Sequence, residues 1–178
     1  MPEAAPRAVD TPESRPAFRR CLGAARLALG GIFLWAFLDK LLGLGYATPA
    51  ARAWLNGGSP TKGYLGSSTG PLAGPFQAMA GNPVADVLFM LGLLAVGACL
   101  LLGVGVRVAS VAGALMLLMM YASHPPWATA ASSNPAIDDH VVYAAILLAF
   151  AFSHAGRSLG LGGWWARRTF VARHPWME

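Results

Sequence analysis

Apolar positions along this chain fall into four long blocks, and the polar residues collect at the block ends. The first block spans roughly 20–43 and holds an unbroken run from Leu27 to Leu38. The others span roughly 83–103, 106–123 and 136–155. About 20 mostly apolar residues of helix cross the hydrocarbon of a bilayer. Helix is favoured there because every backbone N–H and C=O must find its partner inside the protein. The pattern predicts an all-α membrane protein, a four-transmembrane-helix bundle occupying 18–165. The stretch Gly103-Val104-Gly105-Val106-Arg107 reads as a tight turn between the second and third helices, and 124–135 as the turn at the opposite end. Residues 1–17, rich in Pro, Ala and charge, read as a disordered tail, and 166–178 as a basic tail.

The connection 44–82 is too long for a plain turn. Thr48-Pro49 is a helix-start signal, with a capping residue followed by proline at the first helical position, and Gly57-Gly58 is a stop. Trp54, Tyr64 and Phe76 are spread through it. Trp and Tyr favour the membrane–water interface, so the segment reads as an outer cap with short helices near 49–56 and 71–80. Small residues suggest helix contacts: Ala95, Cys99 and Gly103 on the second helix, Ala109 and Gly113 on the third, and Ala145, Ala149 and Ser153 on the fourth.

Composition supports a chain whose surface is not all made for water. Hydrophobic residues make up 56% and charged residues 12%, about half the usual charged share of a soluble domain. The net charge of +5 does not point to nucleic acid, because the arginines flank apolar blocks. With the N-terminus inside, ten Arg lie on the cytoplasmic side, and Lys40, Arg52 and Lys62 lie outside. The positive-inside bias therefore predicts a multi-pass protein of the cell membrane with both termini cytoplasmic. Cys21 and Cys99 have no metal or redox spacing and read as free thiols. No nucleotide-binding loop, iron–sulfur cluster or H-E-x-x-H motif is present, and no metal site is expected.

Two helix starts share the form N-P-x-x-D, at Asn82-Pro83-Val84-Ala85-Asp86 and Asn134-Pro135-Ala136-Ile137-Asp138. Asn caps, Pro fits the first turn, and Asp complements the helix dipole. Asp86 and Asp138 thereby read as structural. Other polar residues share the outer depth: Asp39 and Lys40 end the first helix, His124 ends the third, and Asp139 and His140 open the fourth. Ionisable groups at a membrane edge are costly unless they face water, partners or the bundle interior. At 100° per residue, Asp139, His140 and Tyr143 share a flank while Asp138 points elsewhere. Trp35 and Asp39 are i,i+4 neighbours. These faces suggest a polar pocket between the first and fourth helices, suited to a small anion or a quinone head-group. Asp39, Asp139 and His140 are the candidate proton-handling residues. Lys40, Trp35, His124 and Tyr143 are the candidate binding residues. A salt-bridged clasp between the same helices is the structural alternative.

The segments Phe33-Leu34-Trp35-Ala36-Phe37-Leu38-Asp39-Lys40-Leu41 and Asn134-Pro135-Ala136-Ile137-Asp138-Asp139-His140-Val141-Val142-Tyr143-Ala144 resemble those of the DoxX/DoxD membrane-protein family. The four-block layout and the Gly-Val-Gly-Val-Arg107 turn are similar too, so that the resemblance covers about 20–165. It implies a redox subunit that moves electrons from a reduced sulfur compound such as thiosulfate to membrane quinone, alongside a second subunit or redox partner. The alternative is a non-enzymatic scaffold or accessory protein of a redox or stress-response complex. A small-solute transporter fits less well, since no pair of helices is broken at mid-membrane.

Overall fold

The computed structural model describes residues 15–129 and 132–177. Four helices carry the fold: α1 (Pro16–Leu42), α4 (Pro83–Leu102), α5 (Val106–Ser123) and α6 (Asp139–Ala151). Two short ones, α2 (Lys62–Gly66) and α3 (Ala73–Met79), lie between α1 and α4. Another two, α7 (Gly162–Ala166) and α8 (Thr169–Arg173), follow α6. No strand occurs among the described residues. Helix α1 starts at Pro16, its first-turn proline. Residues 16 and 17 of the expected disordered tail are thus helical, and residues 1–14 lie outside the described residues.

Three helical stretches, Pro16–Leu42, Pro83–Leu102 and Val106–Ala128, are long and apolar enough to cross a membrane. Their apolar windows are only 28%, 33% and 39% buried within the chain. Most of their apolar surface therefore faces outward, as on Leu88, Leu91, Leu115 and Leu118. A soluble monomer rarely leaves so continuous an apolar surface open.

The fourth expected span, 136–155, is corrected by the structure. Helix α6 covers 13 residues, Asp139–Ala151, a length of about 20 Å against about 30 Å of hydrocarbon. Its late start has a local cause. The Asn134 carboxamide accepts the N–H groups of Ala136 and Ile137 in a free-standing turn. The cap is Asp138, whose carboxylate accepts Val141 N–H at 3.2 Å. The first N-P-x-x-D does open a helix: Asn82 Oδ1 accepts Val84 N–H at 2.9 Å, and Pro83 takes the first helical position.

Helices α1 and α4 pair antiparallel, as do α5 and α6, and α4 with α5 joins the two pairs. Gly97 of α4 lies so close to α1 that an added Cβ would stand 2.7 Å from Leu34 N. Gly30 of α1 meets Leu100 and Leu101 of α4 in the same way. Phe33, Met90, Leu100, Leu147 and Phe150 fill the centre. The small-residue contacts were placed correctly on α5, where Ala109 and Gly113 are buried. On α4 the expected Gly103 is buried against Gly156 but Ala95 is exposed and Gly97 faces inward, and on α6 Ala145 and Ala149 are exposed while Ala144 and Ala151 face inward. Spacing of four residues alone cannot choose between such stripes when Ala and Gly are abundant. Between α4 and α5 the chain turns through Gly103 and Gly105, both at positive φ, which only glycine adopts without strain.

Arg26, in the first half of α1, is fully buried. Its guanidinium donates to five carbonyls: Ala155, Leu100, Leu101, Ser158 and Leu159. Two of these lie at the C-terminal end of α4, where carbonyls lack helical partners and carry partial negative charge. The other three belong to the chain after α6. The α6 helix stops at Ala151 and only a single 3₁₀ turn, Ala155–Arg157, follows, which leaves these carbonyls free for the guanidinium. Leu159 sits at φ 53°, a left-handed conformation costing a residue of this kind about 1–3 kcal/mol, and its carbonyl accepts Arg26 Nη2 at 2.9 Å.

The basic C-terminal segment is folded back onto the helices. Val171 is buried, Trp165 Nε1 donates to Met177 O at 2.8 Å, and Arg107 Nη1 reaches Pro175 O.

Candidate functional site

The segment 43–82 is folded against the ends of α1, α4 and α5. The expected helix at 49–56 is two separate 3₁₀ turns, Ala50–Arg52 and Trp54–Asn56, ended by Gly57. The expected second helix is α3, with α2 as an unforeseen addition. Asp86, buried in α4, fastens this segment: one carboxylate oxygen accepts Ser59 Oγ, Thr61 N and Thr61 Oγ1, at 2.9, 3.0 and 2.6 Å. Thr69 N–H donates to Ser123 O at the end of α5.

The seven residues singled out from sequence do share one end of the molecule, but they split into separate groups. Asp39 is 2% exposed, and its carboxylate accepts the N–H groups of Tyr46 and Ala47 at 3.2 and 3.0 Å. Trp35 meets the Tyr46 ring edge-on at 5.2 Å. Together they anchor the turn that follows α1. His124 stacks against Tyr64 at 4.4 Å, with Ser67 Oγ and Ser123 Oγ at 3.3 and 3.1 Å from its ring nitrogens. His140 Nδ1 lies 2.7 Å from Asp138 and 3.5 Å from Asp139. Tyr143 packs partly buried against the core.

Asp138 therefore does not point away from His140. The 100° rule fails at a cap residue, whose backbone is extended (φ −116°, ψ −177°) rather than helical. No hydrogen bond or ion pair among the described residues joins Asp39 to His140. Asp39→Asn and His140→Gln are accordingly expected to act additively on thermal stability, with coupling under about 0.5 kcal/mol. A double-mutant cycle on purified protein checks this, and a larger coupling would restore the direct pair.

Lys40 does reach a pocket. With Thr61, Tyr64, Phe89 and four methionines (Met79, Met116, Met119 and Met120), it lines a hollow of about 300 Å³ between α4, α5 and the 60–79 segment. That volume is at the lower end of typical ligand pockets. Lys40 is its one charged lining residue and has no ion pair among the described residues. The adjacent carboxylate, Asp39, is engaged by backbone amides. Thr61 and Tyr64 are committed as donors, to Asp86 and to Met120 O. Burial pushes the Tyr64 phenol above its usual range, so it stays protonated and keeps its donor role. The ammonium of Lys40 is thus the free donor in a wall of aromatic, aliphatic and thioether groups. A second, open cleft of about 650 Å³ lies beside it, lined by Arg52, Lys62, Ser59 and the glycines at 57, 58, 63 and 81.

The sequence marks Lys40 as a candidate but not the residues that surround it in the hollow. The run Met116–Met120 and the Phe89 position carried the signal: a cluster of adaptable thioethers on one helix end facing an aromatic on the next. No protein-family model, no curated protein and no solved structure matches the chain.

Proposed function

We propose that the chain is a DoxX/DoxD-like redox subunit of the cell membrane, holding a quinone head-group in the Lys40 hollow. The observation that carries this reading is that Lys40, with no ion pair among the described residues, is the one charged side chain in a hollow lined otherwise by apolar groups and the hydroxyls of Thr61 and Tyr64. A quinone ring fits that chemistry. Its carbonyl accepts a hydrogen bond from Lys40, and its face suits the polarizable sulfurs of the four methionines. Exposed Leu88 and Met119 line the hollow, which gives an isoprenoid tail a sideways path into lipid.

In this arrangement α1, α4, α5 and α6 form a transmembrane bundle. Residues 43–82 cap its outer face, and both termini are cytoplasmic, in keeping with the ten-to-three distribution of basic residues. The chain beyond α6 completes the fourth crossing without α-helix, through a single 3₁₀ turn at Ala155–Arg157. Such backbone is tolerated at membrane depth when its carbonyls are satisfied inside the protein, as Arg26 satisfies these.

A bound quinone supplies a two-electron, two-proton acceptor for a reduced sulfur donor such as thiosulfate. Arg52 and Lys62 favour the approach of that anion at the outer cleft. Asp139, 69% exposed in its side chain, is open to water beside His140. Asp39 and His140 hold structure, and in this reading Lys40 contacts the quinone, with Tyr64 beside it in the wall of the hollow. The chain has no cofactor motif, so electrons reach the hollow through a second subunit or redox partner. That same lack supports the second reading, an accessory scaffold that uses the hollow for binding alone.

The test is titration of purified protein with a short-chain quinone. Lys40→Met is expected to weaken binding by roughly tenfold, the worth of one charge-assisted hydrogen bond. Met116→Trp, which fills the hollow, is expected to abolish binding. Unchanged binding in both variants would sink the reading. Binding without quinone-dependent oxidation of thiosulfate, partner present, would leave the scaffold.

A further inference from the structure

The opposite end of the molecule carries a second concentration of chemistry, which the proposed redox reading does not use. Arg19 and Leu22 of α1, with His154, Ala155 and Arg157 from the turn after α6, line a hollow of about 180 Å³. Arg15 is the N-cap residue of α1 and Arg20 stands in its second turn, and Arg167 and Arg168 follow Arg157 in the chain. The stretch 15–26 holds four arginines and no acidic residue, and 153–178 holds four arginines and one acidic residue. The Arg19 side chain makes no hydrogen bond or ion pair among the described residues.

Bulky apolar side chains accompany this charge. Phe18, Trp164, Phe170 and Trp176 are all exposed. The Arg168 guanidinium lies over the Trp164 ring at 3.9 Å from its centroid, which orients the charge beside the indole. Indole rings favour the headgroup level of a bilayer. Basic pockets between membrane helices suit phosphate-bearing headgroups, and arginine binds phosphate oxygens through two parallel N–H groups.

We infer that this end binds an anionic phospholipid, its phosphodiester seated between Arg19 and Arg157 and its acyl chains lying against the exposed apolar face of α1. Three observations converge on a lipid rather than a soluble phosphate. The hollow opens beside an apolar helix long enough to cross a membrane. Exposed aromatic side chains accompany it. The positive charge extends over both α1 and the C-terminal segment, forming a surface as well as a pocket.

The experiment uses the full chain in detergent and in nanodiscs of phosphatidylcholine with or without phosphatidylglycerol. Lipid retention is read by native mass spectrometry and stability by thermal unfolding. Phosphatidylglycerol is expected to be retained preferentially and to raise the melting temperature. Arg19→Gln is the primary variant, since the Arg19 side chain makes no hydrogen bond or ion pair among the described residues. It is expected to weaken retention roughly fivefold, and Arg19→Gln with Arg157→Gln by at least roughly tenfold. The control pair Arg52→Gln with Lys62→Gln, at the other end, is expected to retain the lipid as the unaltered protein does. Equal retention of both lipids, or equal loss in the control pair, would overturn the inference. So would displacement of the lipid by soluble glycerol phosphate at matching concentration, which would make this a site for free phosphate. Neither readout involves quinone, so the result stands apart from the fate of the Lys40 hollow.

Discussion

Arg26→Met is expected to destabilise the protein by about 3–5 kcal/mol, the range seen when a buried charge network loses its centre. That corresponds to a fall in melting temperature on the order of 10 °C. The expectation follows from how the charge is solvated. A guanidinium has five N–H groups in a fixed fork, and all five of the described partners are backbone carbonyls. Methionine keeps much of the volume but leaves these acceptors in a region from which water is excluded. Lysine retains the charge but has three donors and no fork, so Arg26→Lys is expected to recover less than half of the loss. Thermal unfolding of the three proteins in one detergent measures this. A melting temperature for Arg26→Met within about 2 °C of the unaltered protein would mean that water replaces the side chain without cost.

Gly97→Ala and Gly31→Ala are expected to change stability in opposite directions. Both sites are mid-helix, where alanine is intrinsically better than glycine by up to about 1 kcal/mol. At Gly31 nothing lies within 4 Å of an added Cβ, so the helix gain is realised. At Gly97 the Cβ would stand 2.7 Å from Leu34 N and 3.1 Å from Leu34 Cα. Both are backbone atoms, so relief requires α1 and α4 to separate along their length. Overpacking of this kind costs about 1–3 kcal/mol, which exceeds the propensity gain. The comparison is a pair of melting curves, and a shift of the same sign in both variants would show that α1 and α4 are not closely apposed.

The contrast between these sites marks how far the sequence could be read. Three spans were evident because apolar content over 20 or so residues is a bulk property, insensitive to which face meets which neighbour. The depth of the polar residues followed from the same bulk property, and Lys40, Asp39, His124, Asp139 and His140 do share one end. Their direction around each helix axis did not follow. Asp39 and Lys40 are adjacent, yet one is held by the amides of Tyr46 and Ala47 while the other lines the hollow. The start of α6 was misjudged because Asn134 and Asp138 are both good caps, and only the packing of the chain selects between them. Arg26 gave no warning at all. Its sequence neighbours are those of any arginine at a membrane edge, and its five acceptors are main-chain atoms that no side-chain pattern announces.

The hollow beside Lys40 lies at the seam between the α1–α4 pair and the α5–α6 pair. Its walls come from both pairs: Lys40, Leu88 and Phe89 on one side, and Met116, Met119 and Met120 on the other. At the far end of that seam the glycine turn at 103–105 ties the two pairs together, so the arrangement is that of a clothes-peg whose jaws are bridged by the 43–82 segment, held to Asp86 on one arm and to Ser123 on the other. A molecule lodged in the jaws touches both arms at once and stiffens the whole body. By reciprocity, whatever draws the arms together tightens the grip on the guest, and whatever spreads them releases it.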